Sequence, residues 1–76
     1  MTMEPIEFTL RGEFIPLDAL LKASGLASSG GMAKQLIVAG LVHVDGSVEI
    51  RRSCKIRAGQ TVECAGATLQ VRTAAG

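Results

Sequence analysis

The first residues with chemistry to offer are Arg51, Arg52, Lys55 and Arg57, four cations within seven positions and no acid among them. Cations at that density can hold a polyanion. Each neutralises a phosphate, and a guanidinium forks onto two oxygens at once. Lysine and arginine also protect strand edges from pairing with other chains, so a solvated edge is the plainer alternative. The second candidate is Ser28-Ser29-Gly30-Gly31 with Lys34 about one turn further on. A helix that opens there presents unbonded amides and the positive end of its dipole to an anion, with no bulky side chain in the way. An ordinary serine-capped helix is the alternative. The glycine pair is not a nucleotide cradle, because no Gly-Lys-Ser or Gly-Lys-Thr follows it.

The remaining reactive residues are sparse. One histidine and two cysteines fall short of the four ligands of a structural zinc site, and no metal or cofactor is expected. Cys54 lies among bases, which would lower its pKa and make it reactive; a small buried residue is the alternative. A redox pair of Cys54 with Cys64 is a further alternative. His43 alternates with Val42 and Val44 and should face outward. No spacing marks out a Ser-His-Asp set, a Cys-His pair or paired carboxylates, so no catalytic residue is assigned and the chain is read as a non-enzyme.

These residues must be positioned by a chain of only 76 residues, one small domain, residues 1–76. A domain of this size buries roughly 60% of its unfolded surface and has little room for both a core and a deep cleft. Net charge is +1, yet it is unevenly spread. Residues 1–20 hold four acids (Glu4, Glu7, Glu13, Asp18) against Arg11, while the bases cluster at residues 51–57. Local patches of this kind steer polyanions even when the average is neutral. The N-terminus has no basic and apolar leader pattern. No apolar run reaches the roughly 18 residues of a spanning helix. A reduced, cytoplasmic protein without a membrane partner is expected.

Ile6, Phe8 and Leu10 alternate with Glu7 and Thr9 as in a half-buried strand. Arg11-Gly12-Glu13 turns the chain. Pro16, with Leu17, Leu20 and Leu21 at helical spacing and Gly25 as the stop, predicts a helix over Pro16 to Ser24. Ser28 or Ser29 caps a second helix whose apolar face is Met32, Ala33, Leu36 and Ile37 and which Gly40 closes. A hairpin follows around Asp45-Gly46-Ser47. Asp-Gly chemistry favours a two-residue loop, whereas pairing Val44 with Val48 and Val42 with Ile50 favours three. The apolar pairing is preferred, because burial usually fixes register. Thr61 to Cys64 and Ala67 to Arg72 form a second hairpin around Ala65-Gly66, and residues 73–76 are expected to fray. Grouped helices followed by strands give an α+β fold, with two short helices packed on a small, mostly antiparallel sheet.

Taken together, Pro16-Leu-Asp-Ala-Leu-Leu, Ser24-Gly-Leu-Ala-Ser-Ser, Ala33-Lys-Gln-Leu-Ile and Gly40-Leu-Val-His-Val-Asp-Gly resemble the RNA-binding domain of ribosomal protein S-four, the alpha-L motif, over residues 16–62. Glu49, Arg51, Cys54-Lys55-Ile56 and Gly59-Gln60-Thr61-Val62 are similar to the YbcJ-like bacterial subgroup, small stand-alone members with no attached enzyme. The resemblance implies binding of structured RNA through the second helix's start and the hairpin with its basic flank, hence Ser29, Gly30, Lys34, Asp45, Gly46, Arg51 and Arg52. Gly31 joins them through its open amide at the helix start. Lys55 and Arg57 join them on charge alone. Two family cations are absent, because Pro16 and Gly30 stand where many members carry arginine; Gly30 is usual in the YbcJ-like subgroup. The expected function is a monomeric, non-catalytic RNA-binding module that reads phosphate backbone and shape, with ribosomal or transfer RNA as the partner. With two aromatics in the chain, base stacking should be minor. The alternatives are a protein-interaction or carrier module, or an accessory domain acting in trans with an RNA-modifying enzyme or a ribosome-associated factor.

Overall fold

The computed structural model describes residues 5–74. The chain runs β1 (Ile6–Leu10), β2 (Ile15–Pro16), α1 (Leu17–Ala23), α2 (Gly30–Val38), β3 (Val42–Val44), β4 (Ser47–Val48), β5 (Lys55–Ile56), β6 (Thr61–Cys64) and β7 (Ala67–Thr73). Five strands form one sheet in the order β1-β7-β6-β3-β4, and β2 pairs with β5 in a separate two-stranded ribbon. The pairings are antiparallel except β1 with β7, which is parallel. This is the α+β arrangement expected, with one parallel edge.

Alternation decides which side of the sheet is dry. Val42, Val62, Cys64, Leu69 and Val71 point to one face, and Leu17, Leu20, Leu21, Ala33 and Ile37 of the helices pack with them into a single buried cluster. Ile56 of the small ribbon joins that cluster with no exposed surface. The residues between them on the strands, His43, Glu63, Thr68 and Gln70, lie on the other face. His43 is half-buried rather than fully outward.

The helix limits follow local chemistry. Ser29 caps α2 by accepting the Met32 amide at 3.1 Å. Gly40, at φ +77°, ends α2, with the Gly40 amide donating to Ile37 O and the Leu41 amide to Leu36 O. That left-handed residue suits glycine because it has no Cβ to clash. α1 is capped differently. Pro16 offers no side-chain acceptor, and the first amides of the helix donate instead to the main chain of a distant segment, Leu17 N to Cys54 O (2.9 Å) and Asp18 N to Arg52 O (3.0 Å).

Two expectations are corrected. The β3–β4 hairpin pairs His43 with Val48 and Val44 with Ser47, so its loop is the two-residue Asp45-Gly46 turn and not the three-residue loop that apolar pairing favours. Both turn residues take positive φ, 51° and 86°, as the mirror-image hairpin turn requires. Burial had no vote here, because β4 is an edge strand and Val48 on it and Ile50 just beyond it are 54% and 63% exposed. Second, Thr73 belongs to a strand and not to the tail. The parallel strand β1 extends far enough for Leu10 to pair with Thr73, so β7 runs its full length to that residue. Residues 75–76 lie outside the described residues.

Candidate nucleic-acid interface

The basic segment owes its position to three anchors. Its backbone caps α1 through the carbonyls of Arg52 and Cys54. Ile56 is sunk in the core, while Ile15 faces Ile56 and Pro16 faces Lys55 across the ribbon. At its far end, Gln60 accepts the Arg57 amide through Oε1 (2.7 Å) and donates from Nε2 to Asp45 Oδ2 (3.3 Å). Asp45 also accepts the Thr61 amide at 2.9 Å, and the Asp45 amide donates to Thr61 O at 2.8 Å. The Asp45-Gly46 turn and Arg57 are thereby tied together. The Asp45 carboxylate is spent on this scaffold. Its place is to hold the turn, and Gly46 beside it is open to solvent with no atom within 4 Å of where a Cβ would stand.

The cations differ in their surroundings. Arg51 is bound to Glu49, Nε to Oε2 at 3.2 Å and Nη2 to Oε1 at 3.4 Å, and its amide donates to the same carboxylate. Those bonds lower the Glu49 pKa to about 2, the Arg51 side chain contributing most, and the carboxylate in turn raises the Arg51 pKa. A depressed carboxyl pKa means the pair contributes above the ordinary carboxylate range and is lost only as pH falls towards about 2. Arg72 pairs with Glu7 at 3.4 Å. Arg52, Lys55, Arg57 and Lys34 have no carboxylate partner among the described residues, and all four are exposed.

The opening of α2 presents a second donor set. Met32 donates to the Ser29 cap, and Ala33 donates to Ser29 O. This leaves the Gly30 and Gly31 amides, the first two of the helix, without an intrahelical acceptor. Lys34 and Gly31 line one shallow exposed strip with Gln35 and Val38. The two clusters are tied to the fold at different points. The basic segment is bonded to the N-terminal end of α1, whereas residues 24–29 lead from its C-terminal end to Gly30.

The cysteines carry a correction. Cys54 was expected to be acidified by its basic neighbours. Its thiol pKa is instead raised, first by burial and then by the Glu49 carboxylate. Cys64 is raised by burial alone. Both are free thiols, and neither is poised as a nucleophile. Among the described residues, no group of three or more His, Cys, Asp or Glu could hold a metal ion, and no helix is long and apolar enough to cross a membrane.

Sequence reasoning missed Phe14, over whose ring Lys55 Nζ and the Arg57 guanidinium lie at 5.0 and 5.9 Å. Pro16 faces Lys55 in the ribbon, which puts Phe14 beside Arg57 on the same side. The pairing joins residues some 40 positions apart, and no local pattern announces it. Glu49, two residues before Arg51, was legible as a competing charge.

A sheet with two helices on one face, the second opening on bare amides and a tight hairpin leading into a basic flank, defines an alpha-L arrangement. The chain belongs to the S4 domain family, whose model matches residues 8–72. Among its relatives are YbcJ of Escherichia coli strain K12 and YbcJ of Shigella flexneri, each 53% identical over 57 residues, covering 75% of this chain and 81% of theirs. The solution structure of the Escherichia coli protein, described as revealing an alpha-L motif involved in RNA binding, matches with a TM-score of 0.65 at 42% identity, over 96% of this chain and 91% of that one.

Proposed function

We propose that this chain is a non-catalytic RNA-binding module that recognises structured RNA by its phosphate backbone and shape, and that ribosomal or transfer RNA is its partner. The observation that carries the reading is the fixed row of unpaired cations. Arg52, Lys55 and Arg57 are exposed and lack a carboxylate partner among the described residues, on a segment held by the α1 amides at one end and by Gln60 at the other. Anchoring the backbone spares the cost of ordering the segment when its cations meet phosphates. Gly46 lets a strand approach the turn closely. Ser29 orders the α2 opening, where the Gly30 and Gly31 amides and Lys34 would hold a second stretch of backbone. Arg51 contributes less than its neighbours, being shared with Glu49. The module is proposed to act in the cytoplasm as a monomer. Relatives described as RNA-binding support the reading.

Titration of an isotopically labelled protein with an RNA stem-loop tests it. Amide shifts are expected at residues 29–34, at residues 45–46 and at residues 51–57; shifts confined to the outer sheet face around Glu63 and Thr68 would contradict it. A second consequence concerns Glu49. Glu49→Gln keeps an oxygen to accept the Arg51 amide but removes the competing negative charge. RNA affinity should rise by roughly two- to fivefold, the scale of one exposed ion pair, as read by fluorescence anisotropy; a fall would mean that Arg51 must be held by Glu49 to reach phosphate.

An accessory role in trans draws on a different observation. Val38, Leu41, Val48 and Ile50, at the end of α2 and around β3 and β4, are all more than half exposed, and an added Cβ on Gly40 would meet Val48 at 3.9 Å. A partner protein covering these side chains would leave the cations free for RNA.

A further inference from the structure

Phe8 and Phe14, the two aromatic residues of the chain, line the same surface depression of about 350 Å³, together with Arg11 and Pro16. That volume falls within the roughly 300–1,000 Å³ of small-ligand sites. Phe14 is 40% exposed, so part of its surface stays open to solvent. Lys55 and Arg57 crowd its ring at 5.0 and 5.9 Å. Two like charges over one ring repel each other, and neither they nor Arg11 have a carboxylate partner among the described residues. A flat apolar group beside a cluster of unneutralised cations is complementary to a nucleotide. The ring offers stacking, and the cations offer phosphate contacts. The neighbouring acid, Glu13, is also exposed and bonded to nothing among the described residues, and it disfavours an anion placed on its own side of Phe14.

We propose that this depression holds one unpaired nucleotide of a structured RNA, its base stacked on Phe14 and its flanking phosphates on Lys55, Arg57 and Arg11. The proposal rests on the RNA-binding reading above and adds a preference to it. A bulged or splayed-out nucleotide next to a helix engages the basic segment and Phe14 together, so base stacking contributes despite the poverty of aromatics. Specificity is for the presence of a base and only weakly for its identity, because every base has a face to stack.

Three RNA hairpins of one sequence make the test, with a single bulged adenosine, with an abasic residue at the bulge, and with no bulge. The protein is expected to bind the adenosine bulge about 10-fold more tightly than the abasic one. Phe14→Leu, which keeps apolar bulk without the ring, should lose that preference, its affinities for the adenosine and abasic bulges becoming equal. In the natural protein, Phe14 ring protons should shift upfield with the adenosine bulge and not with the abasic one, a readout that does not depend on the variant folding. Equal affinity for the two bulges, or a preference that survives Phe14→Leu, overturns the proposal. Failure to bind even the unbulged hairpin counts against the RNA-binding reading instead. Adenosine 5′-monophosphate titrated against the Phe14 ring, with ribose 5-phosphate as the control, then decides the pocket alone. An upfield shift with the nucleotide only supports it, and identical behaviour of the two ligands overturns it.

Discussion

Replacing Arg52, Lys55 and Arg57 together by Ala is expected to weaken binding to RNA stem-loops on the order of 100-fold at moderate salt, and to lower stability by no more than about 1–2 kcal/mol. The magnitude follows from three solvent-exposed charge contacts with phosphate, each contributing about 0.9 kcal/mol, near the top of the range for exposed ion pairs. The domain should stay folded because the segment is anchored by parts these substitutions leave alone. The Arg52 and Cys54 carbonyls still accept the α1 amides, the Arg57 amide still donates to Gln60, and Ile56 still fills the core. The contacts of Lys55 and Arg57 with Phe14 are lost, at a cost of about 0.5–1 kcal/mol each for exposed sites. Anisotropy with two unrelated stem-loops and a thermal melt of the variant check both halves. The loss should be similar for both RNAs, since phosphate contacts carry no sequence information. A variant that binds as tightly as the natural chain would place the interface elsewhere.

The second large effect is on the fold itself. Ile56→Ala should destabilise the domain by about 2–5 kcal/mol, a large share of the ~5–15 kcal/mol that holds a native domain together. Ile56 is completely buried and is paired with Ile15, so its removal leaves a cavity between the ribbon and the helices. It is also flanked on each side by a cation of the proposed interface. Urea unfolding should show the lowered midpoint. RNA binding, measured where the variant is still folded, should drop too, because Lys55 and Arg57 lose the peg that fixes their spacing. Ile56→Val, which removes one methylene, should cost about 0.5–1.5 kcal/mol and leave RNA binding near normal. A loss below 1 kcal/mol for the alanine variant would show that the small ribbon is not part of the core.

How much of this was legible beforehand depended on range. The helices, their serine and glycine ends and the β6–β7 hairpin follow from patterns within a dozen residues, and the structure places them where periodicity and capping predict. The β3–β4 register was misread because burial was given weight on an edge strand where there is none to gain; the Asp-Gly turn chemistry decided it instead. The cation cluster was visible as a run of charge. Its division into a neutralised Arg51 and unpaired neighbours was not, although Glu49 stood close by. The parallel pairing of β1 with β7 and the ribbon of β2 with β5 join opposite ends of the chain, beyond the reach of any local signal. With them went the extent of β7, the backbone caps on α1 and the placing of Phe14 beneath Lys55 and Arg57.

The salt dependence of stem-loop binding reaches the centre of this account most directly, measured side by side for the natural chain and the variant lacking Arg52, Lys55 and Arg57. Four or five engaged phosphates give a slope of log affinity against log salt of roughly −3 to −4. Removing three of those cations should flatten it to about −1. Identical slopes for the two proteins would mean that these side chains never meet a phosphate.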